Sequence, residues 1–519
     1  MEKLNLICIT IVMLSVSNSL CNKLPNIVLI LTDDQDVTMD SMQPMEKTLK
    51  LIGDNGVTFS NMFTSSPLCC PSRSSIFTGK YVHNHKSVNN SISGNCSSKY
   101  WQDGPEKKTF ATYLKSQGYV TFMAGKYLNQ YGTPDAGGVE HIPPGWDWWI
   151  GLVKNSVYYN YTLSVNGTAE SHHDDYQKDY LTDVIKNRSL EFLENVDSSK
   201  PFFLMASTPA CHSPFDSAPQ YEEEFKDKNA PRGPSFNKHG SDKHWLIRRA
   251  KTPMSNVSLQ YVDSTFKKRW RTLLSVDDMV ESIVNSLTEK KLLDNTFIIY
   301  TSDNGFHLGQ FSLPNDKRQL YEFDVRIPLL IRGPGVPKKK VIADPVINID
   351  IMPTIVNLAG LTPPSDVDGA SLLPLLIKSF NESKKDTQPY RQVLVEHQGE
   401  FKNRNVQNCP NTKFLSVCSV DCVCEDAINN TYTCVWTLEK TEKTVYCEMN
   451  DEENFIEFYN LVKDPHQLAN IAKTVSPTVL SDQNKKLIAL SVCKGPSCRK
   501  IHPVGKQDGN SPVKTVNYN

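Results

Sequence analysis

The sequence predicts an α/β fold: a large, mixed but mostly parallel sheet flanked by helices, then a smaller C-terminal α+β domain stapled by disulfides. Three observations predict it. Short apolar, β-branched runs alternate with longer helical patterns through the first two-thirds of the chain. The runs are almost continuously hydrophobic, as strands buried on both faces are. From about residue 376 a polar stretch intervenes, followed by a block of crowded cysteines.

Taken in order, the strand candidates are NIVLILT (26–32), YVTFMA (119–124), PFFLMAS (201–207), TFIIYTS (296–302) and RIPLLIRG (326–333). Between them, PEKKTFATYLKSQG (105–118) and VDDMVESIVNSLTEKKLL (276–293) read as helices. Asp277 and Asp278 open the second of these, where negative charge favours a helix N-terminus. Past the linker IKSFNESKKDTQPYRQ, VLVEH and NFIEFYNL read as strands. The expected organisation is a leader over 1–21, a catalytic domain over 22–375 and a cysteine-rich domain over 376–519.

Composition bounds the function. With 519 residues, 39% of them hydrophobic, the chain can bury one large core and a smaller one. A net charge of −1 gives no field for nucleic acid or an anionic membrane. Lys3, the apolar run LNLICITIVMLSVS and the small residues after it read as a secretory signal peptide. No later segment has the length of a membrane-spanning helix, so a soluble mature chain is expected. Eight N-x-S/T sequons agree with a secretory route: Asn89, Asn95, Asn160, Asn166, Asn187, Asn256, Asn381 and Asn429. Of the 14 cysteines, eight crowd the C-terminal part: Cys409, Cys418, Cys422, Cys424, Cys434, Cys447, Cys493 and Cys498. None is spaced C-x-x-C, so a disulfide framework is favoured over a metal site.

In open α/β sheets, ligands bind beyond the carboxyl ends of the strands. Thr32, Asp33 and Asp34 follow the first apolar run, Gly125 and Lys126 the second, TPACHS with His212 the third, and Asp303, Asn304 and Gly305 the fourth. Each alone reads as a turn; together they read as a site. Asp33, Asp34, Asp303 and Asn304 offer only oxygen, and three carboxylates brought together call for a hard divalent cation, Mg²⁺ or Ca²⁺. SPLCCPSRSSIFTGK (66–80) joins them: Pro71 marks a helix start, Cys69 precedes it where free N–H groups favour anions, and Arg73 adds positive charge. A nucleophile and a structural cysteine are equally open there, with Cys70 a bystander or buried thiol.

These residues carry a resemblance. CCPSRSSIFTGK matches the sulfatase signature C-x-P-S-R-x-x-x-x-T-G, and LILTDDQD, AGKYLNQYG, TSDNGFHLGQF and DKRQLYEFDVRIPLL follow in sulfatase order. GKYVHNH, GNCSSK, YYNYTLSVNG, KHWLIRRAKTPM, LLSVDDMVE and CVCEDAINNTYTC are similar to the branch of that family acting on N-acetylglucosamine 6-sulfate. The resemblance implies the alkaline-phosphatase/sulfatase-like fold and release of 6-O-sulfate from heparan or keratan sulfate, in the lysosome or outside the cell. It also implies that a formylglycine-generating enzyme oxidises Cys69 to formylglycine (3-oxoalanine). One hydroxyl of the hydrated aldehyde attacks sulfur, and the second expels sulfate. Asp33, Asp34, residue 69, Asp303 and Asn304 match the ligands of one Ca²⁺. Arg73 matches the arginine that steadies formylglycine, Lys126 and Lys317 the sulfate-binding lysines, and His212 the histidine that protonates the leaving alcohol.

One position departs from the pattern. Leu128 stands where many arylsulfatases have a histidine, so His83, His85 or His307 are candidates for the base, or for substrate contacts. HGSDKHW, with His239, Lys243 and His244, is a further candidate lining of a sugar pocket, whereas His172 and His173 read as an exposed loop and PKKK (337–340) as a solvated turn. Other sulfate esters are the alternative substrates. A phosphoesterase of the alkaline-phosphatase type would need a Ser or Thr nucleophile and several His ligands, and an inactive secreted glycoprotein would not keep these motifs. A homodimer is compatible with the sequence.

Overall fold

The structure, a computed structural model, describes residues 23–378, 391–400, 421–439 and 442–499. The signal-peptide segment, Asn381, Cys409, Cys418 and the C-terminal tail lie outside the described residues.

The first strand, β1 (Asn26–Thr32), is followed by β2 (Val57–Phe59), β3 (Met62–Phe63), β4 (Val120–Gly125) and β5 (Trp148–Leu152). Next come β6 (Thr162–Val165), β7 (Thr168–Ser171), β8 (Phe202–Ser207), β9 (Thr296–Ser302), β10 (Leu329–Arg332), β11 (Lys340–Ile342) and β12 (Val346–Ile347). Ten of them make one sheet in the order β11-β2-β10-β9-β1-β8-β4-β5-β6-β7, while β3 and β12 pair separately. The five central strands, β9-β1-β8-β4-β5, are parallel. Beyond them β10 and β6 run antiparallel to their inner neighbours. β1, β8 and β9 are buried along their whole length, which is why each carries an unbroken apolar run rather than an alternating pattern.

Helices cover both faces. The longest, Asn256–Glu289, is capped by the Ser255 side chain, which accepts from the Ser258 N–H. It begins well before 276, so the reading of Asp277 and Asp278 as its N-terminal charges is corrected. Asp277 instead accepts from the Lys47 N–H at 2.9 Å and the Thr48 N–H at 2.7 Å, satisfying the free amides of the short helix Glu46–Thr48. Asp278 takes Lys47 Nζ at 2.7 Å. The earlier turns escape notice because FKKRWRT interrupts their apolar stripe with charge, one member of which, Arg269, is buried.

The C-terminal strands, β13 (Arg391–His397), β14 (Tyr432–Leu438), β15 (Lys443–Met449) and β16 (Ile456–Asn460), form an antiparallel meander. Helix Pro477–Ser491 lies against it. The apolar side chains of the meander share one cluster with Phe63, Tyr81, Phe311 and Tyr321 from the first part of the chain. The cysteine-rich block supplies Cys434–Cys447 between β14 and β15, and Cys493–Cys498 after the last helix. Cys422 and Cys424 are disulfide-bonded as well.

Candidate active site

Four adjacent parallel strands, β9-β1-β8-β4, end on one edge of the sheet and deliver Asp303 and Asn304, Asp33 and Asp34, His212, and Lys126. Asp34 takes a left-handed backbone (φ 61°), a conformation Asp tolerates, as the chain leaves β1. Gly125 has φ 105°, and a Cβ there would meet the Ser207 carbonyl at 1.9 Å, so only glycine lets Lys126 leave β4 at this point.

Residue 69 is brought to this edge by the helix Cys69–Thr78, whose apolar N-cap Leu68 offers no side-chain cap; the Cys70 N–H donates instead to Asn90 Oδ1 at 2.9 Å. The helix starts at Cys69 rather than at Pro71, placing the thiol in its first turn. Cys69 Sγ lies 3.6 Å from Asp33 Oδ1 and 3.9 Å from Asp34 Oδ1. The two vicinal cysteines have separate fates. Cys70 is no bystander thiol: it is bonded to Cys96, tying the helix to the loop beyond it. Cys69 is free, buried, and pushed up to about 12 by that burial, so its thiol is protonated and unreactive as it stands.

The charges around it interlock. Arg73 Nε donates to Asp303 Oδ2 at 2.7 Å, and its Nη1 donates to the Lys126 carbonyl at 3.0 Å and Ser207 Oγ at 2.9 Å. Lys126 Nζ reaches Asp33 Oδ2 at 2.6 Å, and Lys317 Nζ reaches Asp34 Oδ2 at 2.7 Å. Burial alone would raise the Asp33 carboxyl, but Lys126, His212, Arg73 and Lys317 outweigh it and hold the group well below the usual carboxylate range. Asp303 goes the other way, up to about 6, through burial and the Asp33 charge. His212 Nδ1 is fixed by the Ser213 carbonyl at 2.6 Å, leaving Nε2 at 3.9 Å from Asp34 Oδ2. Burial and Lys317 push its imidazole down to about 4.

Asp33, Asp34 and Cys69 place ligand atoms within 4.8 Å of one another. Asn304 adds an amide whose Nδ2 donates to Asp34 Oδ1 at 2.8 Å while its buried Oδ1 has no hydrogen-bond partner. A buried carbonyl oxygen without a donor is costly unless a cation takes it. The oxygen-rich donor set and this orphaned acceptor therefore fit a hard metal ion.

The other five candidate histidines are held elsewhere, three of them with both ring nitrogens engaged. His83 lies between Glu396 and the Cys493 carbonyl, and His85 between Ser75 Oγ and the Ser87 N–H. His307 lies between Asp324 and Glu425, whose charges overcome burial and raise it to about 10. His307 is thus a fixed cation with no lone pair for a base. His244 bonds Asp451 at 2.9 Å against the C-terminal meander, and His239 is exposed. Leu128 packs in the core. Among the sequons, Asn160, Asn166, Asn187 and Asn256 are exposed, Asn95 and Asn429 are partly buried, and Asn89 is buried with Oδ1 accepting from Ser91.

Two contributors were not found from sequence. Ser156 Oγ donates to Asp33 Oδ2 and lies beyond β5, a strand whose WWIGL is not a β-branched run. Arg269 donates to the Asp34 carbonyl at 2.7 Å and to Asp36 at 2.9 Å from the middle of the long helix. Only the first carried a usable signal, its place after a strand.

A sulfatase family model matches residues 25–361. The chain belongs to the sulfatase family. It is 54% identical over 478 residues to human N-acetylglucosamine-6-sulfatase, covering 92% of this chain and 86% of that protein. It is 45% identical over 387 residues to the Drosophila melanogaster extracellular sulfatase SULF-1 homolog, covering 74% of this chain and 34% of that one. The fold matches a solved protein in complex with its substrate D-glucosamine-2-N,6-O-disulfate, with a TM-score of 0.72 at 23% identity, over 90% of this chain and 97% of the other. This sulfatase is thus an enzyme of the sulfate-ester hydrolase class, and no helix among its described residues is long and apolar enough to cross a membrane.

Proposed function

We propose that the enzyme removes 6-O-sulfate from terminal N-acetylglucosamine in heparan or keratan sulfate, within the lysosome or another compartment of the secretory route. The observation that supports the substrate is the 54% identity to human N-acetylglucosamine-6-sulfatase, which extends over 92% of the chain and so beyond the catalytic signature. Residue 69 as formylglycine would supply the oxygen nucleophile that a buried, protonated thiol lacks. Asp33, Asp34, Asp303, Asn304 and residue 69 would hold Ca²⁺, which supplies positive charge to a sulfate oxygen.

The chain's own residues do the rest. Arg73 clamps the Asp303 carboxylate and fixes the floor beneath residue 69. Lys126 and Lys317 now rest on Asp33 and Asp34; facing a sulfate they meet charge that builds on its oxygens, with no reorganisation of solvent. His212, with Nδ1 spent on a carbonyl, has Nε2 as the only nitrogen able to carry a proton to a leaving alcohol.

Sulfate release measured on N-acetylglucosamine 6-sulfate and on aryl and unrelated sugar sulfates tests the reading. Preference for the first is expected. Equal or better turnover of an unrelated ester overturns the substrate, while leaving the reaction class intact.

A further inference from the structure

We infer that a basic groove on the outer face of the long helix holds flanking sulfate groups of a sulfated polysaccharide chain. This rests on the reading that the substrate is a sulfated glycosaminoglycan. The groove, about 390 Å³, lies between the segment around Lys226 and Asn229 and the helix Asn256–Glu289. Gln260, Ser264, Lys267 and Arg271 line it at helical spacing, so one face of the helix points into it.

Its charge is available. Asp263, the one acid in the lining, is already neutralised by Arg232, whose Nη2 reaches both carboxylate oxygens at 2.8 and 2.7 Å. Lys226 pairs with Glu223. Lys267 Nζ and Arg271 Nε donate only to backbone carbonyls, of Lys226 at 3.2 Å and Glu224 at 2.7 Å. Among the described residues, neither forms an ion pair with a carboxylate. Asn229, Gln260 and Ser264 add neutral donors and acceptors of the kind that meet sugar hydroxyls. A sulfate half-ester keeps its charge at every physiological pH and matches both the arginine fork and the lysine point charge.

The groove is also well placed. Arg269, between Lys267 and Arg271 on the same turn, faces inward and binds the Asp34 and Cys211 carbonyls. The catalytic edge and the groove therefore lie on opposite sides of one helix, roughly 10 Å across.

The test is the full-length double variant Lys267→Glu/Arg271→Glu. With a heparan-derived sulfated tetrasaccharide, KM should rise roughly tenfold and the salt dependence of the wild-type KM should flatten. With the monosaccharide N-acetylglucosamine 6-sulfate, kcat and KM should be unchanged. An unchanged tetrasaccharide KM overturns the inference, and so does an equal loss on both substrates. Elution from immobilised heparin reads the groove without catalysis. The variant should leave at lower salt, and elution at the wild-type salt overturns the groove. A wild type that binds heparin through these residues yet hydrolyses neither sugar would overturn the substrate reading alone.

Discussion

Two regions of this molecule bury charge, and they do so in opposite ways. In the C-terminal meander, Glu457 is buried with both carboxylate oxygens covered: Oε1 by the His244 N–H at 2.8 Å, and Oε2 by the hydroxyls of Tyr321 and Tyr459 at 3.0 and 2.5 Å. Buried Lys243 beside it donates to the Gln467 carbonyl at 2.8 Å and lies over the Phe311 and Tyr459 rings. At the edge of the large sheet, three carboxylates, two lysines and an arginine crowd one thiol, and Asn304 Oδ1 and Arg73 Nη2 are left without hydrogen-bond partners. A satisfied buried charge holds structure together. Gln467 Nε2 and His244 Nδ1 lack partners beside the meander too, but Glu457 itself is covered. At the sheet edge the unpartnered atoms lie within the charged cluster around a free thiol, where something can arrive from outside.

The largest effect on activity is expected from Cys69→Ala. It should lower kcat for sulfate release by about 10⁴-fold or more, since the proposed nucleophile is gone, while thermal unfolding stays near wild type. Lys317→Ala comes next. It removes one charge facing sulfate and should cost about 10²–10³ in kcat. Glu457→Gln should do the reverse. Replacing an acceptor that serves several buried donors should destabilise by about 2–4 kcal/mol, lowering Tm while the folded fraction keeps its wild-type kcat. A variant that lost activity without losing stability would move Glu457 into the catalytic group. The smallest expected effect sharpens the metal side. Added Ca²⁺ should raise the Tm of wild type, by up to about 2.7 kcal/mol of stability at a hundredfold excess over Kd. Asp303→Asn should blunt that rise. A Tm indifferent to Ca²⁺ in both proteins would show that the oxygen cluster does not take this ion.

The legibility of each element in the sequence depends on what that element buries. β1 and β9 match their predicted runs residue for residue, because strands covered on both faces admit few polar side chains. The positions just beyond such runs hold Asp33, Asp34, Lys126, His212, Asp303 and Asn304, and all six were within reach of the sequence because one sheet edge collects them. Lys317 comes after no strand and was reached only through the resemblance. Ser156 was missed with its strand β5, and Arg269 because a buried arginine in a helix is indistinguishable by pattern from an exposed one. The long helix was read short for the same reason, which misplaced Asp277 and Asp278. The separate fates of Cys69 and Cys70 depend on where Cys96 sits in space, and spacing along the chain does not encode that.

The chemistry proposed for this edge turns on residue 69, and a tryptic mass of the peptide carrying it reads that residue directly. In protein made alongside the converting enzyme, the peptide should lack the thiol and carry an aldehyde that reacts with a hydrazide probe. An intact Cys69 that alkylates after unfolding, in a preparation that still releases sulfate at full rate, would contradict it.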